Sequence, residues 1–506
     1  STGTARDYNT NDTNNLMSIY IENYDNNDKT FHGCGLSIID LATGKNYITH
    51  ILDDLNNNHS YEVAVSHFMN IYTPSEVIIH NANHDISKND YIQIFNISHE
   101  NVSVNFFKSV KKYEKIQYQN DFLNKIFKFT NMCSAIENIH CETKPETVLS
   151  YILLLEYVHQ HRSNIIENID KPEHLENISY LNLTNNSIRQ LNIISNSNNY
   201  KGRNDSLITI LNQCKTSLGK RLVRERLTHP MIDPDKIQES YDFIDLFLKD
   251  NFYIDIREII SKISDLEKSI RKMGLNMYQP EDLFSDIISF KFIDNTLKIL
   301  KGNKDISDKF CNYNESISKY YEFIDELNSI FEWNNFNSIN NNNIIERSLF
   351  KKNLFDEIDD IDKEIFENKK KLDFVCERFS KFIDQKSNAT SLPIKIEYSD
   401  KENFYIYTTT NRGLKLKERF KNLNGDNIIV RDDDGNVLFT IDTSTISFKS
   451  VKGGNVKIDL NEIAVISNNL IKLNKTLSFL NDKYYNKTII DLYNKYSISL
   501  KEISKI

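Results

Sequence analysis

Proline and glycine, the usual breakers of regular structure, are scarce: 7 and 13 in a chain of 506 residues. That excludes collagen-like and Pro/Gly-rich disordered classes and favours long helices. The six cysteines, Cys34, Cys133, Cys141, Cys214, Cys311 and Cys376, include no C-x-x-C pair. So few in so long a chain build no disulfide framework, and they lack the tight four-ligand spacing of structural zinc. No apolar run approaches the ~20 residues of a membrane-spanning helix. Residues 1–8 carry neither the basic nor the apolar part of a secretory signal. The chain therefore reads as soluble and intracellular, with no membrane partner. Cationic excess is missing as well. Lys and Arg number 62 against 71 Asp and Glu, a net charge of -9, so a polyanionic partner must meet a local patch.

A phosphate loop is also lacking. Only Gly44-Lys45 and Gly219-Lys220 pair glycine with lysine, and Ile39 and Cys214 stand where a second glycine is needed. ATP hydrolysis by these residues is not expected. Gly33 and Gly35 precede a strand instead of opening a helix, which excludes a dinucleotide fingerprint.

What is present falls into distinct stretches. Residues 35–41 and 46–51 read as strands around a turn at 42–45, residues 61–72 as a helix and 76–79 as a buried strand. Helices are expected at 122–129 and 148–158, which together imply an α/β domain ending near residue 165. From residue 177 the reading is almost wholly helical. One helix spans 206–227 and stops at His229-Pro230; Asp233 caps another with Pro234 in its first position, running to about 248. Further helices are expected over 252–270 and 282–300.

Leu354, Ile358, Ile361, Ile365, Leu372, Val375, Phe379 and Phe382 alternate four and three apart, broken only by Asn368. Such a repeat is a coiled-coil seam, and one polar seam residue fixes register. The helix would be ~40–45 Å long. Ile463, Ile466, Leu470, Leu473, Leu477, Leu480 and Tyr484 repeat the pattern, and the economical partner for each helix is the other, antiparallel. Residues 392–460 between them are β-rich. Strands at 428–431 and 437–441 flank Asp432-Asp433-Asp434-Gly435-Asn436, a hairpin turn whose consecutive aspartates exclude an EF-hand. Strands at 446–452 and 455–460 flank Gly453-Gly454, read as a two-residue turn. A small β domain at the tip of a two-helix arm results.

That head carries the local positive charge. Arg412, Lys415 and Arg419 share one helix face, with Lys417 and Lys421 beside them. Lys449, Lys452, Asn455 and Lys457 gather at the second hairpin, where glycines allow close approach to a phosphate backbone. These seven residues, Arg412, Lys415, Arg419, Lys449, Lys452, Asn455 and Lys457, are the candidate nucleic-acid contacts; a solvated Lys-rich face is the plainer alternative. Metal chemistry has thinner support. Cys133, His140 and Cys141 are the nearest thing to a ligand cluster, and His80 with His84 lacks a third ligand. A metal-dependent RNase H-like nuclease would use Asp40 and Glu62, although Asp40 also reads as shaping the turn before Gly44. A third reading is a protein-binding coiled-coil scaffold.

Several segments together resemble the MutS family of mismatch-recognition proteins. Residues 33–44 are similar to the opening hairpin of the family's connector domain, and residues 206–223 to its core-domain helix. Pro230-Met231-Ile232-Asp233 and residues 237–244 are similar to the next stretch of that core domain. Asp265-Leu266-Glu267-Lys268-Ser269-Ile270-Arg271 resembles its next marker, and Phe355-Asp356-Glu357-Ile358-Asp359 the start of the descending lever. The resemblance implies a mixed multidomain fold: an RNase H-like α/β connector (1–168), an all-α core with the descending lever (169–385), a β-rich clamp (386–462) and an ascending lever (463–506). It makes Lys220, Arg221, Arg224 and Arg226 structural, packing the core against the levers. Residues 1–4 look like the junction after the mismatch-reading domain; Phe355-Asp356-Glu357 has the letters of that domain's Phe-x-Glu wedge but opens a coiled-coil helix, where Phe355 reads as core or seam, and the resemblance implies that the chain stops before an ATPase domain. The expectation is a non-catalytic, duplex-DNA-binding middle segment, monomeric alone. It needs no cofactor or metal, since ATP and Mg²⁺ belong to the ATPase domain; a second MutS-like subunit joins the whole protein.

Overall fold

The computed structural model describes residues 13–506 apart from 27–28, 54–59, 83–87, 96, 98–101, 108–109, 176–179, 182, 184, 195–205, 310, 337–346, 384–392, 400–402, 424–426 and 452–453. Two units emerge, residues 1–322 with 489–506, and residues 323–488. His84, Lys452 and Gly453 lie outside the described residues.

In the first unit β1 (Asn15–Asn26) and β2 (Lys29–Asp40) pair antiparallel, and β3 (Asn46–Leu52) continues from β2 across the expected turn. Parallel strands need crossovers. Helix α1 (Ser60–Tyr72) carries the chain to β4 (Glu76–Asn81), parallel to β1; α2 (Lys88–Ile94) carries it to β5 (Ser103–Phe106). After α3 (Ile116–Phe127), α4 (Ala135–Asn138) and α5 (Pro145–His161), β6 (Glu173–His174) closes the order β5-β4-β1-β2-β3-β6. Side-chain alternation gives the sheet two cores. Met17, Ile19, Leu36, Ile38 and Val77 face Val65 and Phe68 of α1, while Leu16, Tyr20, Ile39 and Ile48 face α3 and α5. Strand β1, the centre of the sheet, escaped the sequence reading because Asn15, Ser18 and Asn23 interrupt its apolar pattern.

Helix α5 presses its N-terminus onto β2. A Cβ on Gly35 would lie 2.0 Å from the Glu146 carbonyl oxygen, and one on Gly33 2.6 Å from Glu146 Oε1. The two glycines inside a strand are thus explained by backbone approach. Glu146 is buried there, accepting from Tyr24 Oη at 2.5 Å and meeting His50 Nε2 at 3.0 Å. Burial opposes its ionisation, but those hydrogen bonds outweigh burial and hold the carboxyl below its usual range.

The remaining helices of this unit are α6 (Asn185–Gln190), α7 (Leu207–Leu211), α8 (Ser217–Thr228), α9 (Pro234–Leu248), α10 (Phe252–Ile260), α11 (Leu266–Gly274), α12 (Pro280–Gly302), α13 (Lys304–Lys309) and the first part of α14 (Asn314–Ile330). Asp233 caps α9 and Pro234 opens it, as expected. Two expected helices are each split by a cap. Thr216 accepts from the Gly219 amide, ending the notion of one helix over 206–227, and Asp265 accepts from the Lys268 amide, dividing 252–270. Arg221 forks onto Asp265 (2.7 and 2.8 Å) and Glu267 (2.7 Å), and Lys45 reaches Glu267 at 2.8 Å. Arg224 donates to the Ile71 carbonyl. Both arginines are structural, but their partners are α11 and α1 rather than a long lever helix. Buried Arg271 donates to the carbonyls of Ile165, Glu167 and Asn168.

The second unit holds the end of α14, then α15 (Trp333–Phe336), α16 (Asp356–Ile383) and the first part of the 45-residue α18 (Asn461–Lys505). Tyr484 Oη donates to Glu357 Oε2 at 3.0 Å, its ring 4.3 Å from that of Phe355. The start of α16 thus meets the middle of α18, while α16 ends and α18 begins at the β-rich insert: the two run antiparallel. Ile358, Ile365, Leu372, Val375 and Phe379 are buried, as are Ile463, Ile466, Leu470, Leu477 and Leu480. Not every seam assignment holds. Leu354 is exposed ahead of the helix, Ile361, Phe382, Leu473 and Tyr484 are half-buried, and Asn368 turns its amide back to the Glu364 carbonyl of its own helix at 2.8 Å. Buried polar positions on these helices include Ser380 of α16 and Ser467, Asn474 and Asn481 of α18. Asn481 accepts from the Leu349 amide at 3.3 Å. Among the described residues no helix is long and apolar enough to cross a membrane.

Two outcomes test this architecture. Gly35→Ala should lower stability by ~3 kcal/mol or more, the upper end of overpacking costs, because it meets backbone. Gly33→Ala should cost less, since it meets a carboxylate end; equal, small urea-midpoint shifts would contradict the close approach. Burial holds His67 down to about 4, with His229 nearby opposing its charge, and His67 Nδ1 has no hydrogen-bond partner. The unfolded chain then binds the extra proton first as pH falls below ~6.5, so stability declines from there down to the folded value of about 4. Between about pH 7 and pH 5 the loss should be ~2 kcal/mol, and His67→Leu should remove that share of the pH dependence.

Candidate nucleic-acid interface

The insert builds two sheets and one helix. Strands β7 (Lys395–Ser399) and β8 (Asn403–Thr409) precede α17 (Thr410–Asn422); β9 (Asn427–Arg431), β10 (Val437–Asp442), β11 (Ser447–Val451) and β12 (Asn455–Asp459) come after it. The orders are β11-β12-β8-β7 and β10-β9. Asp432 shapes the first hairpin as expected, its carboxylate accepting from the Asn436 amide at 2.7 Å. The second hairpin differs. Val451 pairs with Asn455, leaving three connecting residues rather than two, with Gly454 at φ +74. That is the three-residue loop with glycine in the left-handed region.

Helix α17 lays one side on the four-stranded sheet. Gly413, Leu416 and Phe420 are buried, Gly413 lies against Val456, and the Phe420 ring is 6.4 Å from Phe448. The exposed surface of α17 carries Arg412, Lys415 and Arg419 on one flank and Lys417 and Lys421 on the other. Arg419 is partly committed, its guanidinium donating to the Phe382 carbonyl at the end of α16. At the helix start, Thr410 donates through backbone and hydroxyl to the Gly454 carbonyl, at 3.0 and 2.7 Å. The hairpin tip and the first turn of α17 are therefore neighbours.

Lys449 and Lys457 stand elsewhere. They are cross-strand partners on the sheet face opposite α17, and both bind Asp459, at 2.6 and 3.1 Å. Burial opposes ionisation of Asp459, but the two lysines outweigh it and hold the carboxyl below its usual range. Lys457 is 15 % exposed and Lys449 69 %. Asn455, half-buried at the start of β12, pairs with Thr409. The seven candidates thus divide: Arg412, Lys415 and Arg419 on the helix side, Lys449 and Lys457 on the other, Asn455 at the tip between them, and Lys452 outside the described residues. Missed by sequence reasoning were Lys395, Tyr405 and Tyr407, which register places on the same sheet face as Lys457. The alternating pattern of β7 and β8 was the signal that could have found them.

A nuclease centre gains nothing. The Asp40 carboxylate accepts from the amides of Asn14 (2.9 Å) and Ala42 (3.0 Å) and from Thr43 Oγ1 (2.8 Å), so it shapes the turn. Cys141 is buried and donates to the Ile139 carbonyl, and His80 meets the Phe107 carbonyl at 2.9 Å. Among the described residues no group of three or more His, Cys, Asp or Glu side chains is placed to hold a metal ion.

Residues 186–481 match the family model described as MutS domain III. The chain belongs to the MutS family. It is 24% identical to a mutS homolog of Acanthamoeba polyphaga mimivirus across 98% of this chain and 46% of that protein. It is 29% identical to the DNA mismatch repair protein MutS of Caldanaerobacter subterraneus across 63% of this chain and 33% of that one. The MutS of Borreliella burgdorferi is 29% identical over 36% of this chain and 21% of its own length. This MutS-family chain thus spans about half or less of the relatives it matches.

Proposed function

We propose that this chain is the DNA-contacting central segment of a mismatch-repair protein, gripping duplex backbone through the β-rich insert in the manner of the family's clamp. The observation that carries the reading is the exposed cationic side of α17, placed by two antiparallel helices inside a segment matching MutS domain III. Arg and Lys on a helix surface, with a glycine tip beside the first turn, are donors for phosphate oxygens and offer no base-reading fork. The strand order of the first unit supports reading residues 1–168 as an RNase H-like connector. No phosphate loop exists among these residues, so they do not fit ATP. The reading assigns ATP with Mg²⁺ to sequence beyond these 506 residues, and pairs the whole protein with a second MutS-like subunit.

Salt dependence of duplex binding tests the assignment. Affinity should fall in the non-specific range of roughly 10⁻⁴ to 10⁻⁶ M at physiological salt. Arg412→Ala with Lys415→Ala should flatten the slope of log K against log salt by ~1.8, equally for matched and mismatched duplex. Charge reversal at Arg419 should cost stability as well, because its guanidinium holds the end of α16. An unchanged slope in the double variant contradicts the helix assignment, and loss confined to mismatched duplex contradicts backbone contact.

A further inference from the structure

The four-stranded sheet has two unlike faces. Thr408, Phe448 and Val456 share the face covered by α17 with buried Ile406 and Ile458. On the other face the register lines up Lys449, Lys457, Tyr407 and Lys395 in one row across β11, β12, β8 and β7. Strand spacing makes that row ~14 Å wide. The neighbouring row holds Asp459, Tyr405 and Glu397. Tyr405 and Tyr407 lie with ring centroids 6.0 Å apart, Tyr405 Oη donates to Glu397 at 3.0 Å, and Lys457 Nζ is 5.6 Å from the Tyr405 ring centre. Both tyrosines are partly exposed, and Lys395 and Lys449 are exposed at either end of the row. Beside Tyr405 and Lys457 a cavity of about 90 Å³ opens against α18, where Asp459, Ala464, Ser467 and Asn468 line it.

Adjacent aromatic rings on a sheet, flanked by cations, suit one ligand chemistry. Every unpaired base has a π-face that stacks on such rings whatever its sequence, while lysines track the phosphates. Bases of an intact duplex are already stacked and cannot use them. The exposed side of α17 carries no aromatic residue, so the two sides of the insert address different forms of nucleic acid.

We propose that this sheet face binds single-stranded DNA, with bases stacked on Tyr405 and Tyr407 and flanking phosphates on Lys395 and Lys449. Asp459 tunes the site, because it is the shared carboxylate that an incoming phosphate must displace from Lys449. The proposal rests on the insert being a DNA-contacting element, but on a surface separate from the duplex-gripping helix.

Anisotropy titrations of the full chain against an oligothymidylate of about 20 nucleotides and a duplex of equal length separate the two readings. Tyr407→Ala should weaken oligothymidylate binding roughly 5- to 150-fold, the range for losing one stacked base, with duplex binding unchanged. Tyr407→Phe, which keeps the ring, should stay near the parent, and Asp459→Asn should tighten oligothymidylate binding. Lys395→Glu, an exposed change that spares the sheet interior, should weaken it even if Tyr407→Ala fails to fold. Duplex binding lost through Arg412→Ala and Lys415→Ala with oligothymidylate binding retained supports two surfaces. Oligothymidylate binding with no duplex binding by the parent sinks the duplex reading and leaves this one standing. A parent that binds duplex but not oligothymidylate, or oligothymidylate affinity indifferent to Tyr407→Ala and Lys395→Glu alike, overturns the proposal.

Discussion

Two helices that cannot bury their apolar stripes alone are the constraint on which the second unit depends. Isolated helices owe most of their stability to packing of an amphipathic face. Here α16 buries Ile358, Ile365, Leu372, Val375 and Phe379, and α18 buries Ile463, Ile466, Leu470 and Leu477. Antiparallel packing brings the end of one helix to the beginning of the other, so the chain between them is held at both ends. The insert is consequently carried by a pair of antiparallel helices. Its attachment is both polar and apolar: the Phe404 amide donates to Ser467 Oγ at 2.9 Å, Arg419 reaches the end of α16, and the Phe420 ring meets those of Phe379 and Phe382.

The seam is not purely apolar. Asn474 and Asn481 are buried among leucines on α18, and a buried amide in such a seam favours one register over the slipped alternatives. The sequence reading assigned that duty to Asn368, which instead satisfies its amide within its own helix. A half-buried asparagine can choose a local carbonyl; a fully buried one has fewer choices, and Asn481 takes a backbone amide of the neighbouring chain segment.

The first unit shows the same economy with charge. Arg271 satisfies three carbonyls at the end of α5's connection, Arg221 binds two carboxylates, and Glu146 collects a tyrosine and a histidine. Buried charges of this kind persist where most of their hydrogen bonds are filled; here only Nε of Arg221 and of Arg271 has no partner among the charged atoms of these three side chains. In the insert the same logic limits function. Asp459 lowers the cationic field that Lys449 and Lys457 offer, whereas Arg412 and Lys415 on α17 have exposed side chains facing solvent. Lysine content alone therefore does not locate the most cationic surface of the insert.

Periodicity and capping chemistry are local, and they were legible in the residues themselves. The Asp233-Pro234 helix start, the two seam helices, the aspartate hairpin and the helical spacing of Arg412, Lys415 and Arg419 all arise from contacts within a few positions. Helix breaks at Thr216 and Asp265 were missed because an apolar period continues through them while a side-chain cap ends the hydrogen-bonding. Strand β1 was missed because its partners lie on both sides of it in space, and only they make its polar-interrupted pattern a sheet centre. The division of the candidate contacts between two faces was likewise a tertiary matter. Strand register sets which side chains share a face, and β12 pairs with β8 across more than forty intervening residues. No local pattern records that pairing, so the sequence by itself could name the cations and the β-rich insert that carries them. Only the packed sheet decided which of them stand together, which are neutralised by Asp459, and that two tyrosines lie between them.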